Sequence, residues 1–115
     1  MTNLTPTQIF KEFDQMPPLQ RPRLTEHLQG ETVDWSVRLA NAWQNNDETV
    51  RVAFRYGPPT VQSIIGNVRR SDYPQLEHLQ VGESLRVRGR IRLVSTLWIE
   101  LDITELLFCI ETVAV

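Results

Sequence analysis

Apolar side chains recur along this chain with two different periods. Near the start, Ile9, Phe13 and Met16 fall at helical spacing, with Phe10 beside the same stripe. Thr5 offers an N-cap, Pro6 suits the first helical position, and Gln8 completes a capping-box spacing with Thr5. Pro17 and Pro18 end this helix, because proline removes a backbone donor and restricts the residue before it. A second short helix is predicted from about Pro22 to Leu28, with Leu24 and Leu28 four apart and Gly30 as a left-handed stop. Both helices are too short to persist alone, so their stripes must dock on the rest of the chain.

From Val33 the period drops to two. Val33, Trp35, Val37 and Leu39 alternate with polar residues, predicting a strand that extends towards Trp43. The polar stretch from Gln44 to Glu48 is a turn, and Val50, Val52, Phe54 and Tyr56 form a second strand paired with the first as a hairpin. Gly57-Pro58-Pro59 breaks it, and a weaker third strand covers Thr60 to Val68. The stretch Ser71 to Leu79 predicts one or two helical turns, opened by an Asp or Ser cap and an early proline. Leu85, Val87, Ile91 and Leu93 then alternate with Arg86, Arg88, Arg90 and Arg92, while Gly89 on the apolar side marks a bulge or bend. A last strand sets Leu97, Ile99, Leu101 and Ile103 against Trp98, Glu100, Asp102 and Thr104. Past Glu105 the alternation dissolves, and the segment is read as a strand end with a packed or frayed terminus.

Two helices, three strands, a short helix and two strands is the element order of an oligonucleotide/oligosaccharide-binding (OB) barrel, in which a long first strand closes the sheet. The fold class is therefore mainly β: a five-stranded OB-fold-like closed barrel, with a short helix between strands three and four and two N-terminal helices. Residues 1–30 form the helical segment packed on the barrel and 31–110 the barrel, within a single domain. Its interior is assigned to Trp35, Val37, Leu39, Val52, Phe54, Val87, Ile91, Ile99 and Leu101. An open α+β sheet and an SH3-like barrel are the competing folds. Three stretches, PPLQR at 17–21, ETVDWSV at 31–37 and SDYPQLEHLQVGESLRVRGRI at 71–91, resemble a group of uncharacterised bacterial OB-fold domains classed with the tRNA-anticodon-binding-like OB domains. The resemblance spans about residues 5 to 108. It implies a small binding module and carries over no catalytic residue.

The 115 residues include 11 Arg and 1 Lys, and the formal charge is -2. This excludes a broadly basic nucleic-acid binder. Residues 50–93 nevertheless hold 8 Arg against Asp72, Glu77 and Glu83, a local charge of +5 between two acidic flanks. No apolar run approaches the ~20 residues a membrane helix needs, so no membrane contact is expected. The start, MTNLTPTQIF, has neither a basic nor an apolar stretch, and a cytoplasmic protein is expected. The one cysteine, Cys109, lies in the apolar run LLFCI and reads as a buried thiol. His27 and His78 lack partners at metal-ligand spacing, so no metal and no cofactor is expected. Nucleophilic catalysis needs an activated nucleophile with a base in reach, and no such group is evident. The chain is expected not to be an enzyme.

Binding chemistry is better represented. Ligands of OB folds lie across the second and third strands. The candidate face comprises Arg38, Arg51, Arg55, Arg69 and Arg70 with Trp43 and Trp98, of which Trp98 stands on the polar side of its strand. Trp43, Tyr56, Tyr73 and Trp98 are the candidate stacking aromatics, with Tyr56 assigned to the core. Arg86, Arg88, Arg90 and Arg92 form a secondary anion or partner face. Glu100 and Asp102 can pair with two of these four, which leaves charge over. A protein-interaction or self-associating module, a homodimer through LLFCIETVAV included, is placed first. A single-stranded nucleic-acid-binding domain is the alternative.

Overall fold

A computed structural model describes residues 3–58 and 60–108. The expectations for Cys109 and for the chain after it lie outside the described residues. Helix α1 spans Pro6–Gln15 and α2 spans Arg21–Leu28. The strands are β1 Thr32–Gln44, β2 Thr49–Arg55, β3 Ser63–Arg69, β4 Ser84–Val94 and β5 Trp98–Phe108. They close into a barrel in the order β1-β2-β3-β5-β4, with β4 returning to β1. All neighbours are antiparallel except β3 and β5. Between β3 and β4 the chain makes 3-10 turns at Arg70–Asp72 and Pro74–Glu77, with no side-chain cap, where an Asp or Ser cap was expected.

The period-two residues build the interior as their alternation requires. Val33, Trp35, Val37 and Leu39 from β1 meet Val52, Phe54, Ile64, Leu85, Val87, Ile91, Ile99 and Leu101, all buried. The N-terminal stripe closes one end. Ile9, Phe10, Phe13, Leu24 and Leu28 join the same core. The Thr5–Gln8 capping box forms in both directions, at 3.2 and 2.8 Å. The buried Trp35 donates its indole N–H to the Leu4 carbonyl at 3.0 Å, which satisfies a polar group that burial would otherwise penalise. Thr25 ties α2 to β4, its hydroxyl donating to the Val94 carbonyl at 3.2 Å and accepting from the Val94 N–H at 3.3 Å.

Among the described residues three bulges interrupt the pairing, and they explain where simple alternation misleads. Ala40 is an extra residue in β1 against β2. Arg92 is extra in β4, and Thr104 is extra in β5 beside Gly89. A bulge inserts one unpaired residue and turns the following side chains to the other face. Past Arg92, Leu93 therefore turns out (38% exposed) and Val94 turns in, contrary to the expected inward Leu93. Past Thr104, Leu106 is buried where alternation had ended, and β5 continues to Phe108. Leu97, expected inward, is 49% exposed because it sits in the β4–β5 turn rather than in the strand.

Candidate functional site

The bulge at Ala40 also shapes the outer face of the sheet. Trp43 shares odd parity with the buried set Val33 to Leu39. Because Ala40 is unpaired, Ala42 faces Val52 on the core side and Trp43 faces Arg51 outside. Trp43 is 43% exposed. On the far side of the same face, Trp98 opposes Ser63 and is 39% exposed. The helices do not cover it. A groove of about 380 Å³ runs between the two rings, lined by Asn41, Ala53, Arg55, Ile65 and the exposed Val61 and Leu97. Two strands, β2 and β3, separate the rings, roughly 14 Å at the ordinary strand spacing, so one planar group cannot touch both.

Arg55 lines this groove. Arg38 and Arg55 are direct partners across β1 and β2. Arg55 donates from Nη1 to the Gln62 carbonyl at 3.1 Å and to Ser63 Oγ at 2.7 Å. Arg38 donates to the Gly57 carbonyl. Among the described residues neither makes an ion pair, so both keep their charge. A second hollow of about 380 Å³ lies beside them, lined by Leu39, Ala40, Thr60, Val81 and Gly82. It shares Ala40 and Arg55 with the first. Among the described residues, seven large apolar side chains stand most exposed, and five of them line these two hollows: Trp43, Val61, Val81, Leu97 and Trp98. Apolar exposure collected on one face, rather than scattered, marks a contact surface.

The other candidates fall elsewhere. Arg51 sits within the face but is paired with Glu100 at 3.4 Å. Arg69 and Arg70 line a separate cavity of about 630 Å³ beyond the β1–β2 hairpin, in company with Asp47, Glu48 and Glu77. Arg70 is bonded to Glu77, and its guanidinium holds that carboxyl below its ordinary value. Tyr73 is no platform: its hydroxyl accepts the Leu106 N–H at 3.2 Å, and its ring packs on Phe108. Tyr56 is half-buried against the core.

The row on β4 is more fully neutralised than Glu100 and Asp102 alone would allow. Asp34 of β1 accepts Arg86 Nε at 3.1 Å and Nη2 at 2.6 Å, and also Arg88 Nε at 3.1 Å. Glu105 accepts Arg88 Nη1 at 2.9 Å. Arg92 stands 3.7 Å from Asp102 and 4.0 Å from Glu100. Burial raises the pKa of Asp34, but the hydrogen bonds and charges of Arg86 and Arg88 together outweigh it and hold the carboxyl below its ordinary value. Among the described residues Arg90 alone of the row makes no ion pair. Pairing β4 with β5 only had hidden Asp34, which reaches the row from the other neighbour. The aliphatic linings, Val61 and Ile65 in the groove and Val81 in the adjoining hollow, were also missed, since a lone valine in a loop carries no signal. Among the described residues no three His, Cys, Asp or Glu side chains converge as a metal site would need, and no helix is long and apolar enough to cross a membrane.

No protein-family model and no curated protein matches the chain. A solved structure does: a "putative nucleic acid-binding lipoprotein" from Klebsiella pneumoniae subsp. pneumoniae MGH 78578. It shares 16% sequence identity at a TM-score of 0.63, over 91% of this chain and 92% of that one. At that identity the likeness concerns the fold, a closed five-stranded barrel of OB type.

Proposed function

We propose that the protein is a non-catalytic OB-type module that binds single-stranded nucleic acid across β1, β2, β3 and β5. The observation that carries this reading is the pair of outward indoles, Trp43 and Trp98, on opposite rims of a groove with Arg55 between them. Bases stack on exposed aromatic rings without regard to sequence, and arginines beside them attract the backbone. The distance between the rings assigns them to two different bases. The resemblance to the tRNA-anticodon-binding-like group and the description of the Klebsiella protein both point the same way. The location taken with this reading is the cytoplasm, as the sequence suggested.

A protein partner on the same face is the second reading, favoured by the exposed Val61, Val81 and Leu97, and tryptophan and arginine dominate such contacts too. Arg55 in the groove and Arg38 in the adjoining hollow, neither in an ion pair among the described residues, favour the anionic ligand instead. The test is fluorescence anisotropy with a labelled oligothymidylate, the wild type being compared with Trp43→Ala and Trp98→Ala. Stacking is worth about 1–3 kcal/mol per base, so each variant is expected to weaken binding about 5- to 150-fold. Both rings are substantially exposed, so the melting temperature should barely move. Absence of wild-type binding at about 50 mM salt, where backbone attraction is strong, overturns the proposal. A defined dimer in light scattering, lost in the same variants, would support the protein reading.

A further inference from the structure

Like charges placed directly opposite each other on neighbouring strands destabilise a sheet. Arg38 and Arg55 are such a pair, and the fold offers them no acid among the described residues. The contrast within the molecule is informative. Arg51, Arg70, Arg86, Arg88 and Arg92 each meet a carboxylate. The cavity that holds Arg69 and Arg70 also holds Asp47, Glu48 and Glu77, whereas the hollow at Arg38 and Arg55 is lined otherwise by Leu39, Ala40, Thr60, Val81 and Gly82. Arg55 is half-buried and pinned through Nη1, and its Nε and Nη2 make no bond among the described residues. A fixed guanidinium edge over an apolar floor is arranged for an anion taken in a two-pronged grip.

We infer that Arg38 and Arg55 together form a phosphate subsite that grips one phosphodiester of the bound strand, next to the base stacked on Trp98. This rests on the nucleic-acid reading and adds to it where the backbone is held. The hollow opens into the indole-lined groove through Ala40 and Arg55. Arg55 reaches Ser63, which opposes Trp98, so grip and ring lie in one row across the sheet. That continuity assigns the phosphate to a strand rather than to a separate small anion.

The experiment uses the full chain in two arms. In the first, amide shifts are followed by NMR as inorganic pyrophosphate is added. Shifts are expected around residues 38–40, 55 and 81–82, and Arg38→Gln should abolish them. No shift there overturns the subsite, whatever the oligonucleotide does. In the second, oligothymidylate affinity is measured against salt. Each phosphate contact contributes about 0.7 to the slope of log K on log salt for a single strand, so Arg38→Gln with Arg55→Gln, which removes the one contact, should lower the slope by about 0.7. Arg38→Lys keeps the charge, so it should keep the slope while weakening binding. It also serves if the glutamine variants fold poorly. Trp98→Ala should weaken oligonucleotide binding and leave pyrophosphate shifts in place. An unchanged slope in the double variant overturns the inference. Pyrophosphate binding without oligonucleotide binding overturns its assignment to a strand and the function proposed above, while leaving an anion site. Displacement of the oligonucleotide by polyglutamate at equal affinity would transfer the subsite to an acidic protein partner and overturn it as stated.

Discussion

Gly89 and Asp34 show how single residues hold the β4 region together. A Cβ added to Gly89 would lie 2.5 Å from the Asp102 carbonyl oxygen, which is backbone and cannot swing aside. Gly89→Ala is expected to cost about 1–3 kcal/mol, read as a lower urea midpoint with unchanged slope. Asp34 does different work, pairing with two arginines at once. Its carboxyl is held below the ordinary 3.8 in the folded state, so its contribution is full above that value. It is lost as pH falls through the folded value. Asp34→Asn should cost about 0.2–1 kcal/mol at neutral pH, and the gap to wild type should close as the solution is made more acidic than 3.8. Denaturant unfolding of both proteins across that range checks the sign. Gly89 was legible in the sequence as an apolar-side glycine. Asp34 was not, because its partners come from a strand more than 50 positions away.

At the level of elements, α1 carries the clearest energetic role. Phe13 is buried in the shared core, and Arg21 stacks its guanidinium 5.3 Å above the ring centre. Phe13→Ala should cost about 3–5 kcal/mol in denaturant unfolding, enough to threaten a small domain. Thr5→Ala removes the cap and should cost about 1 kcal/mol. A much smaller effect at Phe13 would mean that the helices ride on the barrel without stabilising it. These helices were readable because a capping box and a 3.6-residue stripe are local signals. The strands were readable for the same reason, and all nine residues assigned to the barrel interior are buried. Leu93 and Leu106 were misread together, for one physical cause. A bulge is a mismatch in length between two paired strands, so it exists only in the pairing and leaves little trace in either strand alone.

Over the whole molecule, closure depends on a short parallel seam. β3 meets β5 through only four residue pairs, Ser63 to Gly66 with Trp98 to Leu101. Ile64 and Ile99 meet there and are almost fully buried. Ile99→Ala should therefore cost about 2–5 kcal/mol, and hydrogen exchange should speed up first along this seam. Uniform acceleration around the barrel would count against a weak seam. The regional charge read from the sequence has a counterpart in three dimensions, although half of the arginines in the basic middle, Arg51, Arg86, Arg88 and Arg92, pair with acids from the flanks. Only the pairing of strands reveals which arginines keep their charge. The extra Ala40 has one more consequence, because parity alone decides which way Trp43 looks. Removing that one alanine keeps both indoles and both arginines in the chain, yet it would swap Trp43 with Ala42 and leave the groove without one of its rims. Kindred barrels differing by a single insertion or deletion in this strand would then share a fold while holding different cargo, and lists of substitutions would not betray the change.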